Sequence, residues 1–281
     1  MKTGIYPGCS LNGSARDYNE SVFALAEAFG LGFEQIPDWN CCGATAAHNL
    51  NKDLSLALPA RILSLAEKNG MDEIVVPCAA CYNRLTVTQM ELKKNPELKN
   101  HITEILEMEY SGSSRIINVI EWIEKYITPQ LDGKIIKPYD HKVACYYGCL
   151  LVRPHKVLGY DRPEDPQSMD RVMSKIGATP VYYPFKTECS GAGFSISRTD
   201  IVSQLSGKII EDAESRGAEA IIVACPMCHS NLDMRRNDIN KYWKKEFNIP
   251  VIFITQAICL AVGISPEKAG IKRHFVDVKI S

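Results

Sequence analysis

Along the chain, short runs that are apolar at nearly every position alternate with longer stretches in which apolar residues recur at three- and four-residue intervals. Runs of the first kind lead into the cysteines of "GIYPGCSL", "ACYYGCLL", "DEIVVPCAACYNRL" and "AEAIIVACPMCHSNL", and stand at the heads of "RIINVIEWIEKY" and "VIFITQAICLAVG". Between them, Val22, Leu25, Ala26 and Phe29 make one helical stripe within 15–29. Ile201, Leu205, Ile209 and Ala213 make another within 199–216. Strands without hydrophobic–polar alternation are covered on both faces, which is the habit of parallel sheets. Their alternation with amphipathic helices predicts an α/β protein. The longest apolar stretch, "IPVIFITQAICLAVGIS", is interrupted by Thr255 and Gln256 and is short for a bilayer span. It reads as a buried strand followed by a helix.

The pattern occurs twice. Cys9 is followed after 31 residues by Cys41-Cys42, and after 35 more by Cys78-x-x-Cys81. Cys149 is followed after 39 residues by Cys189-Ser190, and after 34 more by Cys225-x-x-Cys228. The flanks agree: "GIYPGCSL" with "ACYYGCLL", "NCCGA" with "ECSGA", "DEIVVPCAACYNRL" with "AEAIIVACPMCHSNL". An internal duplication of about 140 residues follows, so each half is a Rossmann-like α/β domain. The Pro-, Gly- and Asp-containing stretch "TPQLDGKIIKPYD" at 128–140 marks the boundary, giving domains 1–134 and 135–281. Ligands of such sheets collect at the carboxyl ends of the strands. Cys9, Cys78, Cys149 and Cys225 all stand where a strand ends, so the two cysteine groups are expected to face a shared cleft.

Composition narrows the chemistry. Lys plus Arg total 32 against 33 Asp plus Glu, which gives no basic surface for nucleic acid or an anionic membrane. "MKTGIYPGCS" lacks the apolar core of a secretory signal, and a cytoplasmic location is expected. Eleven cysteines in such a chain point to metal or redox chemistry rather than disulfides, and an odd count excludes complete pairing. A structural zinc takes four ligands, one fewer than the first group offers. A thioredoxin-like dithiol explains the CxxC pairs and leaves Cys9, Cys41 and Cys42 idle. An iron–sulfur cubane takes one thiolate per iron, again four. Iron–sulfur binding accounts for most of the set, and the adjacent Cys41-Cys42 suits a cluster whose irons do not form a simple cube.

The duplicated C-x31-CC-x35-CxxC pattern resembles the CCG domain, across nearly the whole chain. That domain marks the B subunit of heterodisulfide reductase, with relatives among glycolate-oxidase and lactate-utilisation iron–sulfur subunits; the absence of an appended ferredoxin-like domain favours the former. The resemblance implies a catalytic subunit that reduces a small disulfide, the mixed disulfide of coenzyme M and coenzyme B in the family. It implies a noncubane [4Fe-4S] cluster on Cys9, Cys41, Cys42, Cys78 and Cys81, with Cys41 and Cys42 capping neighbouring irons. It also implies electrons arriving from the family's ferredoxin-like C subunit and ultimately from its flavin-bearing A subunit. An electron-relay subunit that cleaves no disulfide is the alternative, and a scaffold with one cluster lost is a third.

The second half departs from the motif. Ser190 replaces the second cysteine of the pair, and Leu150 follows Cys149 where histidine is expected in the methanogen enzymes. Serine is a harder, weaker ligand for such a cluster. Three states remain open for this half: a cubane on Cys149, Cys189, Cys225 and Cys228, a variant noncubane cluster with Ser190, or no cluster. His229, beside Cys228, is the candidate proton donor to a leaving thiolate; support of the cluster from behind is the alternative. His48 poses the same choice. Arg153 and Lys156 are candidate clamps for an anionic substrate, weighed against plain surface charge. Cys145 and Cys259 read as buried core cysteines, and Tyr6 and Tyr147 as packing residues.

Overall fold

A computed structural model describes residues 2–45 and 47–278, with the side chain of His48 outside that description. Eight short strands form two four-stranded sheets. The first contains β1 (Thr3–Ile5), β2 (Glu34–Gln35), β3 (Glu73–Val76) and β4 (Arg115–Asn118). The second contains β5 (Lys142–Tyr146), β6 (Thr179–Pro180), β7 (Ala220–Val223) and β8 (Val251–Phe253). Their orders, β2-β1-β3-β4 and β6-β5-β7-β8, are the same arrangement twice, and every pair is parallel. Ile5 registers with Val75 and Cys145 with Ile222, so matching residues of the repeat occupy matching places. β3 and β7 are buried along their whole length, as strands covered by helices on both faces must be.

In each sheet the chain moves outward from the first strand to the second, then returns to pair the third strand on the opposite side. The reversal leaves a crevice between the carboxyl ends of β1 and β3, and of β5 and β7. Cys9 and Cys78 flank the first crevice, Cys149 and Cys225 the second.

Helix Arg16–Ala28 forms where the 15–29 stripe predicts it, with Val22, Leu25 and Ala26 buried. In helix Thr199–Ser215 the buried face is rotated from the expected stripe. Val202, Ser206, Ile209, Ile210 and Ala213 are buried, whereas Ile201 and Leu205 are half-exposed. The cause is Trp243, whose indole N–H donates to the Ser203 carbonyl at 2.9 Å. Its ring lies so close to Gly207 that a Cβ there would be 1.9 Å from the indole nitrogen. Small residues, rather than large apolar ones, therefore line that contact.

The two halves meet through helix Arg16–Ala28 and helix Ile254–Ala261. Ser21 and Thr255 share a 2.6 Å hydrogen bond, and the Cys259 thiol donates to the Ser21 carbonyl. Tyr18 stacks on Phe253 with centroids 4.0 Å apart, and Phe253 stacks on His229 at 4.3 Å. At the crossing between halves, Lys134 donates to the Ala28 carbonyl, and the Ile136 and Lys137 amides donate to the Ala261 carbonyl. Among the described residues no helix is long and apolar enough to cross a membrane.

A polar network lies behind this seam. His229 Nε2 is 3.2 Å from the Val251 carbonyl and 3.1 Å from His274 Nδ1. His274 Nε2 is 3.0 Å from Gln256 Oε1 and 3.6 Å from an Asp17 oxygen. Burial pushes His229 down to about 3 and, with His229 adding to it, His274 down to about 4; burial pushes Asp17 up to about 6. Unfolding lets both imidazoles take up protons below their ordinary pKa of about 6.5, so their contribution to stability is complete above that pH and is lost on acidification. Asp17 has the opposite sign, because its native form holds the proton between its ordinary value and about 6. Between about pH 5.5 and 4.5 the net is one proton, or ~1.4 kcal/mol of stability lost per pH unit. This is the share of the trio alone. Asp17→Asn removes the opposing proton, so denaturant midpoints across that interval should fall more steeply with acidification than in the native protein, by about one further proton.

Candidate functional site: two facing thiol clusters

Each cysteine stands on a defined piece of backbone. Cys9 lies in the short helix Gly8–Asn12 after β1. Cys78 is the residue before helix Ala79–Lys94, which carries Cys81 in its first turn, and Cys225 holds the same position before helix Pro226–His229. Helix N-termini favour the thiolate over the thiol. Gly8 and Gly148, which precede Cys9 and Cys149, have φ of +62° and +70°. A Cβ at Gly8 would be 3.3 Å from the Cys81 sulfur, and at Gly148 only 2.8 Å from that of Cys228. Glycine is what lets the loop after the first strand approach the CxxC turn.

The paired-cysteine loop is held by two devices, each present in both halves. The Tyr6 hydroxyl donates to the Asn40 carbonyl at 2.8 Å, and the Tyr146 hydroxyl to the Glu188 carbonyl at 2.7 Å. Both carbonyls immediately precede the paired positions. Tyr6 therefore ties the Cys9 strand to the Cys41 loop beyond simple packing, and its structural counterpart is Tyr146. Tyr147, the other expected packing residue, instead bonds Asp170 at 2.7 Å. The second device is the glycine after the pair: Gly43 donates its amide to the Cys41 sulfur at 3.4 Å, and Gly191 to that of Cys189 at 3.3 Å.

The sulfurs converge. Cys9 and Cys41 are 3.9 Å apart, and Cys42 and Cys81 3.1 Å. In the second half Cys149 and Cys189 perturb each other's ionisation, as do Cys225 and Cys228. The two groups also adjoin: the carbonyls of Pro77 and Ala224, which precede Cys78 and Cys225, both lie 3.3 Å from the Tyr18 hydroxyl, and Cys78 and Cys225 perturb one another's ionisation. Cys42, Cys78, Cys81 and Cys225 form the buried floor, while Cys9, Cys41 and Cys189 lie at the exposed lip.

Ser190 is placed as Cys42 is. It is buried, and Asn231 Nδ2 donates to its hydroxyl at 3.3 Å and its carbonyl at 3.2 Å. A hydroxyl thus occupies the place of the missing thiol.

Crowded sulfurs cannot all ionise without a cation. Hydrogen bonds from Cys41 and Cys81 hold Cys42 down to about 4, and a hydrogen bond from Cys149 holds Cys189 down to about 6. Their donors Cys41 and Cys149 are pushed up for the same reason. Each half is a thiol-and-thiolate set in which bound iron would take the place of the shared protons. No disulfide pairs any of the eleven cysteines. The donor set fits an iron–sulfur cluster.

The remaining candidates sit elsewhere. His229 is buried, with its ring between Phe253 and His274 and its Nε2 at the Val251 carbonyl, and it is neutral near pH 7. Arg153 is taken up by Glu164 at 2.6 Å and by Thr187, two residues before Cys189. Lys156 is exposed. Cys145 is fully buried in β5 beside Asp170, and Cys259 belongs to the seam. Leu150 is half-buried against the core, and its carbonyl accepts from Asn83 at 3.2 Å. Tyr18, Asn83 and Asn231 are absent from the sequence-level candidates. The paired "CYNRL" and "CHSNL" alone hint at the two asparagines.

Two thiol-lined sites at the carboxyl edges of a duplicated parallel sheet define a class: duplicated α/β iron–sulfur proteins. The cysteine-rich CCG domain matches residues 3–86 and 143–233, and the chain belongs to the family of such proteins that includes the B subunits of heterodisulfide reductases. It is 30% identical over 283 residues to the B subunit of the ferredoxin:CoB-CoM heterodisulfide reductase of Methanosarcina mazei, covering 98% of this chain and 94% of that one. It is 29% identical to the 8-methylmenaquinol:fumarate reductase membrane anchor subunit of Wolinella succinogenes, covering 97% and 96% respectively. A hypothetical protein from Helicobacter pylori shares the fold with a TM-score of 0.82 at 17% identity; the match spans 99% of this chain and 52% of that one.

The close approach at Gly148 supplies a test. Gly148→Ala should lower the iron content and alter the spectrum of the second site, leaving the first half's signature in place. Iron analysis with electron paramagnetic resonance (EPR) checks this, and unaltered iron and spectra would show that the loop accommodates the methyl group.

Proposed function

We propose that the chain is the disulfide-reducing subunit of a heterodisulfide-reductase-type complex. Cys9, Cys41, Cys42, Cys78 and Cys81 would hold a noncubane [4Fe-4S] cluster. Cys149, Cys189, Cys225 and Cys228 would hold a second, either a [4Fe-4S] cubane or, with Ser190, a variant noncubane cluster. Bound there, the clusters supply the two single electrons that reductive cleavage of a disulfide of the coenzyme M–coenzyme B type consumes, together with two protons, to give two thiols. The observation that carries this reading is the proximity of the two groups, with the carbonyls that precede Cys78 and Cys225 both 3.3 Å from one hydroxyl, that of Tyr18.

The protein's own groups have separate parts in this reading. Cys42, Cys78, Cys81 and Cys225 keep the floor dry, and the exposed lip at Cys9, Cys41 and Cys189 admits the small substrate. Protons reach the leaving thiolates from solvent at that lip, because His229 is neutral and engaged within the seam. Arg153 braces the Cys149 and Cys189 loops against one another through Glu164 and Thr187. Electrons come from a ferredoxin-like C subunit, fed by a flavin-bearing A subunit, in the cytoplasm. One observation favours the second reading, an electron relay without disulfide cleavage: a buried hydroxyl stands at Ser190, where the first half has a thiol.

Two substitutions separate these readings. Cys42→Ser should convert the first site's EPR signature towards that of the second and abolish viologen-driven reduction of the mixed disulfide. Ser190→Cys should move the second site towards the first. Retention of both the spectrum and the turnover in Cys42→Ser would remove Cys42 from the ligand set. Loaded protein that takes up electrons and leaves every disulfide intact would establish the relay.

A further inference from the structure

Tyr18 lies on helix Arg16–Ala28, fully buried between the halves. Its hydroxyl is 3.3 Å from the Pro77 carbonyl and 3.3 Å from the Ala224 carbonyl. Pro77 immediately precedes Cys78, and Ala224 immediately precedes Cys225, so one hydroxyl addresses equivalent points of the two repeats. Its ring is fixed by Phe253, with planes only 3° from parallel. Burial, followed by the nearby sulfurs of Cys225 and Cys78, pushes the phenol well above its ordinary range, so it keeps its proton.

A phenol has one hydrogen to donate. Two acceptors at equal distance cannot both receive a full bond, and the hydroxyl dipole must lean towards one site or divide itself between them. In a buried, weakly screened setting, a dipole aims its positive end at whichever side carries more negative charge. We propose that Tyr18 is a positioning residue that couples the two sites: its proton turns towards the site holding the first added electron and so favours the singly reduced protein. The proposal rests on the reading above that both halves carry clusters. When both sites are oxidised, or both reduced, the two orientations differ little. Only the state with one electron gains from the turn. One-electron donors would therefore load the protein through a state that the hydroxyl itself stabilises.

The test is an anaerobic reductive titration of the loaded chain with dithionite, followed by EPR, in the native protein and in Tyr18→Phe. Phenylalanine keeps the stack on Phe253 and removes only the hydroxyl, so iron content should hold. At one electron per chain the singly reduced fraction should fall, with the disproportionation of two singly reduced chains into one fully reduced and one fully oxidised chain favoured by about four- to a hundredfold, the square of the roughly two- to tenfold that one neutral hydrogen bond is worth. An unchanged fraction with full iron would overturn the proposal and leave Tyr18 as packing. Should Tyr18→Phe lose iron, 3-fluorotyrosine at position 18 keeps the shape and donates more strongly; the singly reduced fraction should then rise, and no change would overturn the proposal. A single four-iron cluster in the native chain would overturn both this coupling and the two-cluster reading. The titration contains no disulfide, so a failure to cleave one would remove the proposed reaction and leave the coupling standing.

Discussion

Sulfur crowding governs this protein. Nine cysteines and one serine gather at the carboxyl edges of two sheets, close enough for Cys42 to lie 3.1 Å from Cys81 and Cys9 3.9 Å from Cys41. Ionising all of them would set like charges against each other in a poorly solvated floor, a cost that grows as the dielectric falls. The protein answers with shared protons, each stabilised thiolate leaning on a neighbouring thiol that is correspondingly harder to ionise. Such a set is poised to exchange protons for iron. Of the four CxxC sulfurs only Cys225 is held down, by its neighbouring thiols and by the backbone amides at the start of its helix, while Cys78, Cys81 and Cys228 are pushed up.

Everything around the sulfurs holds three loops in register. A tyrosine from the first strand of each repeat grips the carbonyl before the paired position, a glycine amide bonds the first sulfur of the pair, and a second glycine lets the strand-end loop close on the CxxC turn. Both copies keep these devices, although the second has lost a thiol. The scaffold thus specifies where a ligand atom stands, and Ser190 supplies oxygen at a place built for sulfur. Asn231 is the adjustment: its amide bonds the serine hydroxyl, a partner the first half does not require at Cys42.

The halves behave as a dimer made covalent. Their seam is a stack of three rings, Tyr18, Phe253 and His229, backed by the hydrogen-bonded line from Val251 through His229 and His274 to Gln256. Buried polar groups of this kind must be satisfied to be tolerated, and here His229 Nε2 and both ring nitrogens of His274 have partners. That line lies within the second half; the contacts that cross to the first are Tyr18 on Phe253, Ser21 with Thr255 and Cys259, and Asp17 beside His274. A rigid seam behind the crevice is what allows two separately folded sheets to act as one site.

By itself the sequence determined the duplication, the parallel α/β class, the strand ends and the nine cysteines. Each of these is a local or periodic property. A strand buried on both faces has to be apolar throughout, and equal spacings in two copies need no coordinates to be recognised. The tertiary structure decided which groups meet. Tyr18 sits 59 residues from Pro77 and 206 from Ala224, so no local pattern could reveal that its hydroxyl serves both. His229 neighbours Cys228 in the chain, yet its ring belongs to the seam, because a short helix turns successive side chains about 100° apart. The stripe of helix 199–215 rotated for the same reason, since Trp243, remote in sequence, chose the face it packs on. Periodicity reports that a side is buried; only packing between distant segments determines against what.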